Sequence, residues 1–228
     1  MSYSSEPLPV WTLVITLCLI AAPFDVGAQT PDSTGGPSSD PSCGFSGSVT
    51  IPDSLDLYPS SSPRLGPQDA PVKVAEFYDP GCPHCRTFHK RVLPKLTQSL
   101  PSGSVAFYLR PYPLSQQSVP LFYTLYFADD RDKFSKMLDV MFAFGKPPSV
   151  SRSTIQYYAR AAGLPPKKTA RAITRDKYKT RLQRAMSLKD HLGIEGTPTL
   201  IINGRRISRS SYKPGCLLRL IREERSEN

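Results

Sequence analysis

The feature that most narrows what this chain can become is Cys82-Pro83-His84-Cys85, set directly after a β-branched and aromatic run and directly before a helical pattern. Residues 72–78 (VKVAEFY) lie between Pro71 and Asp79-Pro80-Gly81, the composition of a strand that ends in a turn. Phe88, Val92, Leu93 and Leu96 then recur at helical spacing to about residue 100, with Pro94 expected to kink the helix. The cysteines therefore open a helix, where unpaired backbone N–H groups and the positive end of the dipole favour a thiolate at Cys82. His84, between them, can donate a hydrogen bond or positive charge to the Cys82 sulfur and lower its pKa further. A low pKa favours the reduced state and makes the disulfide a strong oxidant. Cys85, one turn deeper, is the natural resolving thiol.

Two other chemistries use paired cysteines. A structural zinc site needs four ligands, and Cys82, Cys85 and His89 would supply three locally. A c-type haem needs His directly after the second Cys, where Arg86 stands. No metal and no organic cofactor is expected, because a disulfide itself carries two electrons.

The 228 residues are enough to bury a full core. Residues 104–112 alternate as a second core strand, and helices are expected at 121–128, 130–144, 151–163 and 165–192. Strands return at 199–203 and, beyond a tight turn at Gly204, at 205–211; a last helix spans 214–224. This order of strand, helix, strand, helical block, hairpin and helix is what an α/β thioredoxin fold looks like with an inserted all-helical subdomain. The expected division is 67–115 and 193–228 for the thioredoxin part and 116–192 for the insertion.

The segment from Asp69-Ala70-Pro71 through Cys82-Pro83-His84-Cys85-Arg86-Thr87-Phe88-His89, with Val92-Leu93-Pro94, resembles the opening strand and active-site helix of DsbA-family thiol:disulfide oxidoreductases. Gly193-Ile194-Glu195-Gly196-Thr197-Pro198-Thr199, about 110 residues on, resembles that family's cis-proline loop. The resemblance implies that Pro198 is a cis-proline facing the disulfide. Lacking an N–H, it leaves Thr197 to pair its backbone with a substrate strand. It also implies that Glu76, six residues before Cys82, is a buried acid moving protons to and from Cys85.

Oxidases, isomerases and reductases share this motif, so direction stays open. His84 favours an oxidase. Thr before the cis-proline is found in isomerases, but residues 29–71 look too short and proline-rich for an isomerase's dimerisation domain, which favours a monomer. The expected partners are thiol-containing unfolded or partly folded proteins and a membrane quinone-linked reoxidising protein of the DsbB or VKOR type. A peptide-binding chaperone on the same fold is the non-enzymatic alternative.

Residues 10–22 are an apolar stretch followed by Pro23 and by Val26-Gly27-Ala28, which reads as a secretory signal over 1–28. The leading nine residues contain no Lys or Arg and carry Glu6, so an uncleaved membrane anchor remains open. Residues 29–66, rich in Pro, Ser, Gly and Asp, read as a tether and extended lead-in, with a short strand expected at 47–51. Export places the protein outside the cytoplasm, where free thiols tend not to persist. Loss of Cys18 with the signal and pairing of Cys82 with Cys85 leave Cys43 and Cys216, which form either a structural disulfide or two unpaired thiols.

Net charge is +10, and residues 151–228 hold 18 Lys or Arg against 6 Asp or Glu. Nucleic acid is not the expected partner, given the export signal and the lack of an aromatic platform among the basic residues of 167–189.

Overall fold

The computed structural model describes residues 42–50, 56–145 and 149–227. The expected signal over 1–28 and the expected tether up to residue 41 lie outside the described residues. The centre of the fold is a six-stranded sheet of β1 (Phe45–Ser48), β2 (Arg64–Leu65), β3 (Val72–Tyr78), β4 (Val105–Pro111), β5 (Thr199–Ile202) and β6 (Arg205–Ile207), in the order β1-β6-β5-β3-β4-β2. Only β3 and β4 pair in parallel, Val72 opposite Val105 through Tyr78 opposite Pro111. The helix that crosses between them supplies the active-site segment.

Alternation along β3 divides its side chains between two faces. Val72 and Val74 pack with Phe88, Leu96, Leu200 and Leu217 on one face, and Ala75 and Phe77 pack with Leu188, Leu192 and Ile201 on the other. Glu76 shares the parity of Val72 and Val74, and so points towards the active-site helix.

That helix is not one kinked rod. It comprises α1 (Pro83–Thr87), a π turn (Phe88–Val92) and α2 (Leu93–Ser99), so the irregularity lies upstream of Pro94. Pro94 has no N–H for the carbonyl four residues back, and the ladder shifts so that Leu93 N–H donates to Phe88 O, five residues behind it.

Between β4 and β5 lie α3 (Val119–Asp129), α4 (Phe134–Phe144), α5 (Arg152–Ala161), α6 (Pro166–Ala172) and α7 (Asp176–His191). The expected helix 130–144 begins four residues late. Asp132 adopts φ 55°, and both Arg131 N–H and Lys133 N–H donate to Ala128 O, closing α3 with a turn that Asp tolerates. The expected single helix 165–192 is two. The adjacent β-branched Ile173 and Thr174 disfavour it, the Thr174 hydroxyl donates to Arg171 O at 3.0 Å, and Arg175 is extended.

The strand expected at 205–211 stops at Ile207 and continues as a 3-10 turn at Arg209–Ser211. Serine hydroxyls take over the backbone partners there, the buried Ser211 Oγ accepting from Gly44 N–H at 2.8 Å. The chain closes with α8 (Pro214–Ser226), two residues longer than expected.

The lead-in belongs to the sheet to a greater extent than its composition indicates. The strand expected at 47–51 sits earlier, at Phe45–Ser48, against β6. β2, which sequence patterning did not reveal, pairs with β4. Gly66 follows it at φ 104°, where a Cβ would collide with Val105 O. Cys43 is joined to Cys216 at the start of α8 by a disulfide, with Cα atoms 5.5 Å apart across a separation of 173 residues.

In the chain-entropy account a loop of that length is worth on the order of 5 kcal/mol. Replacing Cys43 and Cys216 with Ser is therefore expected to lower unfolding free energy by several kcal/mol. Denaturant titration of the variant against the parent measures it, and a change below about 1 kcal/mol would contradict this account of the bridge.

Candidate redox-active site

The turn before α1 is built by Asp79. Its buried carboxylate accepts from Gly81 N–H and Leu114 N–H, both at 2.7 Å, while its carbonyl accepts from Cys82 N–H at 2.9 Å. Cys82 occupies the N-cap position and Pro83 the first turn, so the Cys82 sulfur stands over the free N–H groups of the helix. The Cys82 thiol donates to Thr197 O at 3.4 Å, and the Thr197-Pro198 peptide is cis. The structure thus brings Cys82, Cys85, Thr197 and Pro198 together, although the two motifs are more than 100 residues apart in the chain.

The two sulfurs are unequal. A hydrogen bond from Cys85, the Thr197 side chain and the backbone N–H groups of Cys85 and His84 lower the Cys82 pKa to about 5 against the opposing effect of burial. Burial pushes the Cys85 thiol well up, and its bond to Cys82 and the nearby charge of Glu76 push the same way. The His84 contribution runs through its backbone N–H. Its imidazole is exposed and makes no hydrogen bond among the described residues, so the ring is not where sequence reasoning placed the effect.

Below Cys85 lies a pair that the sequence reading missed. His89, to which no role was assigned, places Nε2 2.9 and 3.0 Å from the two carboxylate oxygens of Glu76. The carboxylate is fully buried and the His89 side chain nearly so. Its ring also packs on Phe142 of α4 with centroids 4.5 Å apart. The available signal was the spacing Cys82, Cys85, His89, three positions on one helical face, together with the parity of Glu76 on β3. Arg86, considered earlier only as the residue that excludes haem, donates from Nε to Phe142 O at 2.6 Å and from Nη2 to Ala143 O at 3.1 Å. It caps the end of α4 and fastens the redox helix to the helical block.

Beside Cys82 is a cavity of about 310 Å³ lined by His84, Thr87, Phe88, Val92, Thr197, Pro198, Arg209 and Tyr212. Among the described residues no group of three or more His, Cys, Asp or Glu is placed to hold a metal ion.

Thr197 Oγ1 is buried without a hydrogen-bond partner while Cys82 is a thiol. Once Cys82 ionises, that hydroxyl gains an acceptor. Thr197→Val should therefore raise the Cys82 pKa above about 5, read from thiolate absorbance near 240 nm against pH; an unchanged titration would show that the hydroxyl takes no part. A second expectation follows from the depressed value, because ionisation of Cys82 stabilises the reduced fold fully above the ordinary thiol value of 9.0 and progressively less as pH falls towards about 5. The oxidised protein lacks this group. The melting temperature of the reduced protein relative to the oxidised protein should thus decline from pH 9 to pH 5, and a pH-independent difference would contradict the assignment.

Comparison with known proteins agrees with this geometry. A thioredoxin family model matches residues 60–215. A protein named putative protein-disulfide oxidoreductase from Rickettsia bellii is 23% identical over 145 residues, covering 61% of this chain and 56% of its own length. Disulfide bond formation protein D of Bacillus subtilis is 23% identical over 162 residues, covering 64% of this chain and 69% of its own. The chain thus spans little more than half of the Rickettsia protein. Among solved structures, oxidised BdbD from Bacillus subtilis superposes with a TM-score of 0.68 at 21% identity, covering 80% of this chain and 98% of that one. With its Cys-x-x-Cys helix after β3, its cis-proline before β5 and a helical block between β4 and β5, this chain belongs to the thioredoxin family in its DsbA-like form.

Proposed function

We propose that this protein is an extracytoplasmic thiol:disulfide oxidase that introduces disulfides into unfolded or partly folded proteins. The inequality of the two sulfurs carries the reading. A thiolate stabilised at Cys82 favours the reduced enzyme and so drives transfer of the disulfide outward. In the cycle, a substrate thiolate attacks the Cys82 sulfur of the oxidised enzyme, the Cys82–Cys85 bond breaks, and Cys85 leaves with the electron pair. The raised pKa of Cys85 makes it take up a proton, which in this reading comes from solvent and is relayed through the Glu76–His89 pair. A second substrate thiolate then attacks the mixed disulfide at the substrate sulfur, releasing Cys82 as thiolate and leaving the substrate oxidised.

The cavity beside Cys82 suits an extended peptide. Phe88, Val92 and Pro198 give it apolar walls, and the Thr197 backbone offers strand-like pairing. His84 stands at its rim. Reoxidation falls to a membrane quinone-linked protein of the DsbB or VKOR type, and the protein works as a monomer. Among the described residues no helix is long and apolar enough to cross a membrane; attachment, if any, would come from the expected signal segment.

Equilibration of the purified protein with glutathione buffers tests the direction. An oxidase is expected near the strongly oxidising end of the family range, roughly −120 mV, whereas a value near the thioredoxin end, roughly −270 mV, would replace the oxidase reading by a reductase. Cys82→Ser should abolish turnover; full retention of function would identify a peptide-binding chaperone instead.

A further inference from the structure

On the sheet face opposite the redox helix, the lead-in, the end of β4, α3 and α7 enclose a second cavity of about 590 Å³. Its lining is unusual in one respect. Arg110, which β4 carries on that face, is only 6% exposed and its Nε has no hydrogen-bond partner. It forms no ion pair among the described residues, and burial holds its pKa below the ordinary guanidinium value. Asp56 is the carboxylate whose charge it feels. A buried arginine left unpaired costs free energy unless something completes its shell.

Three further cations, Lys177, Arg181 and Arg184, line the same cavity from α7. Two are already matched. Lys177 Nζ donates to Asp130 at 2.6 Å, and Arg181 Nη2 donates to Asp129 at 2.5 Å while its guanidinium stacks on the Tyr126 ring 4.2 Å away. These contacts hold Arg181 in place before any ligand arrives. Arg184, exposed at the mouth, makes no ion pair among the described residues. Two positive charges, one buried and one at the rim, thus make no ion pair among the described residues across one concave surface.

We propose that this cavity is a binding site for a dianionic phosphate group, with Arg110 as its buried ligand and Arg184 closing it from the rim. A phosphate monoester carries close to two negative charges at neutral pH, matching the two unpaired guanidinium groups, where a single carboxylate would leave one unmatched. Guanidinium forks meet phosphate oxygens two at a time, and a site partly closed from water strengthens each contact. The site is separate from the disulfide, being carried on the other face of the sheet. The chemistry is common to a small phosphorylated molecule and to a monoester lipid headgroup, that of phosphatidic acid, presented at a membrane surface.

Calorimetric titration of the full chain with inorganic phosphate, at ionic strength held constant with chloride, tests the site. Phosphatidylcholine vesicles with and without phosphatidic acid test the headgroup source in parallel. One saturable phosphate-binding event is expected, weakened about tenfold in Arg184→Ala and lost in Arg110→Gln. The insulin-reduction rate of Arg184→Ala should equal that of the parent. Binding of phosphate alone assigns a soluble ligand, and selective binding of phosphatidic acid vesicles with the same sensitivity assigns a headgroup. Failure of both, or binding that Arg184→Ala leaves unchanged, overturns the proposal. Because Arg184 is a surface residue, that variant decides the matter even if Arg110→Gln does not fold.

Discussion

The first turn of α1 can hold a negative sulfur because its N–H groups have no carbonyl to bind and Cys82 is the atom-bearing group placed over them. The surrounding construction keeps that turn open and correctly aimed. Asp79 accepts from one backbone donor of the preceding loop, Gly81, and from Leu114 beyond β4, and so fixes where the strand stops and the helix begins. Arg86 fastens the far side of the same turn to α4. The cis-proline loop brings Thr197 against the sulfur from a different part of the chain. These contacts prevent the turn from relaxing, which is the sense in which a site is preorganised.

The helical block has a part in this beyond filling space. Cys82 and Cys85 belong to the same buried cluster as Leu125, Phe122, Met141 and Phe142 of α3 and α4. The insertion therefore supplies the apolar surroundings that raise Cys85, whereas the helix end and Thr197 lower Cys82. One compact arrangement separates the two thiols by placing one at a helix terminus and the other in a core.

Much of this was legible in the chain. β3 was found to the residue, because Pro71 and Asp79-Pro80-Gly81 bracket a run that carries Val72, Val74, Phe77 and Tyr78. The turn of the β5–β6 hairpin was read at Gly204, one residue late, since Asn203, expected in the strand, also takes positive φ, the conformation that Asn-Gly favours. What escaped depends on contacts remote in sequence. β2 is two residues long and exists only because β4 pairs with it. His89 carries no sign of its partner until Glu76 arrives from β3. Arg110 lies in an apolar-looking strand, and only the packing of α7 against that face reveals that its buried Nε finds no hydrogen-bond partner. The break between α6 and α7 was visible as Ile173-Thr174, but a continuous run of helix-forming basic residues on either side masked it.

The bridge between Cys43 and Cys216 also sets an order of events in biosynthesis. The 173 residues that separate the two take roughly 10–35 s to synthesise at ordinary elongation rates. Throughout that interval Cys43 is available while its partner does not yet exist, and the thiols of Cys82 and Cys85 emerge first. Of the pairings open to Cys43, the native one is therefore the last to become accessible, and any earlier bond made by Cys43 has to be exchanged rather than simply formed. Correcting such a bond is the same thiol–disulfide exchange that its own active site is shaped to perform.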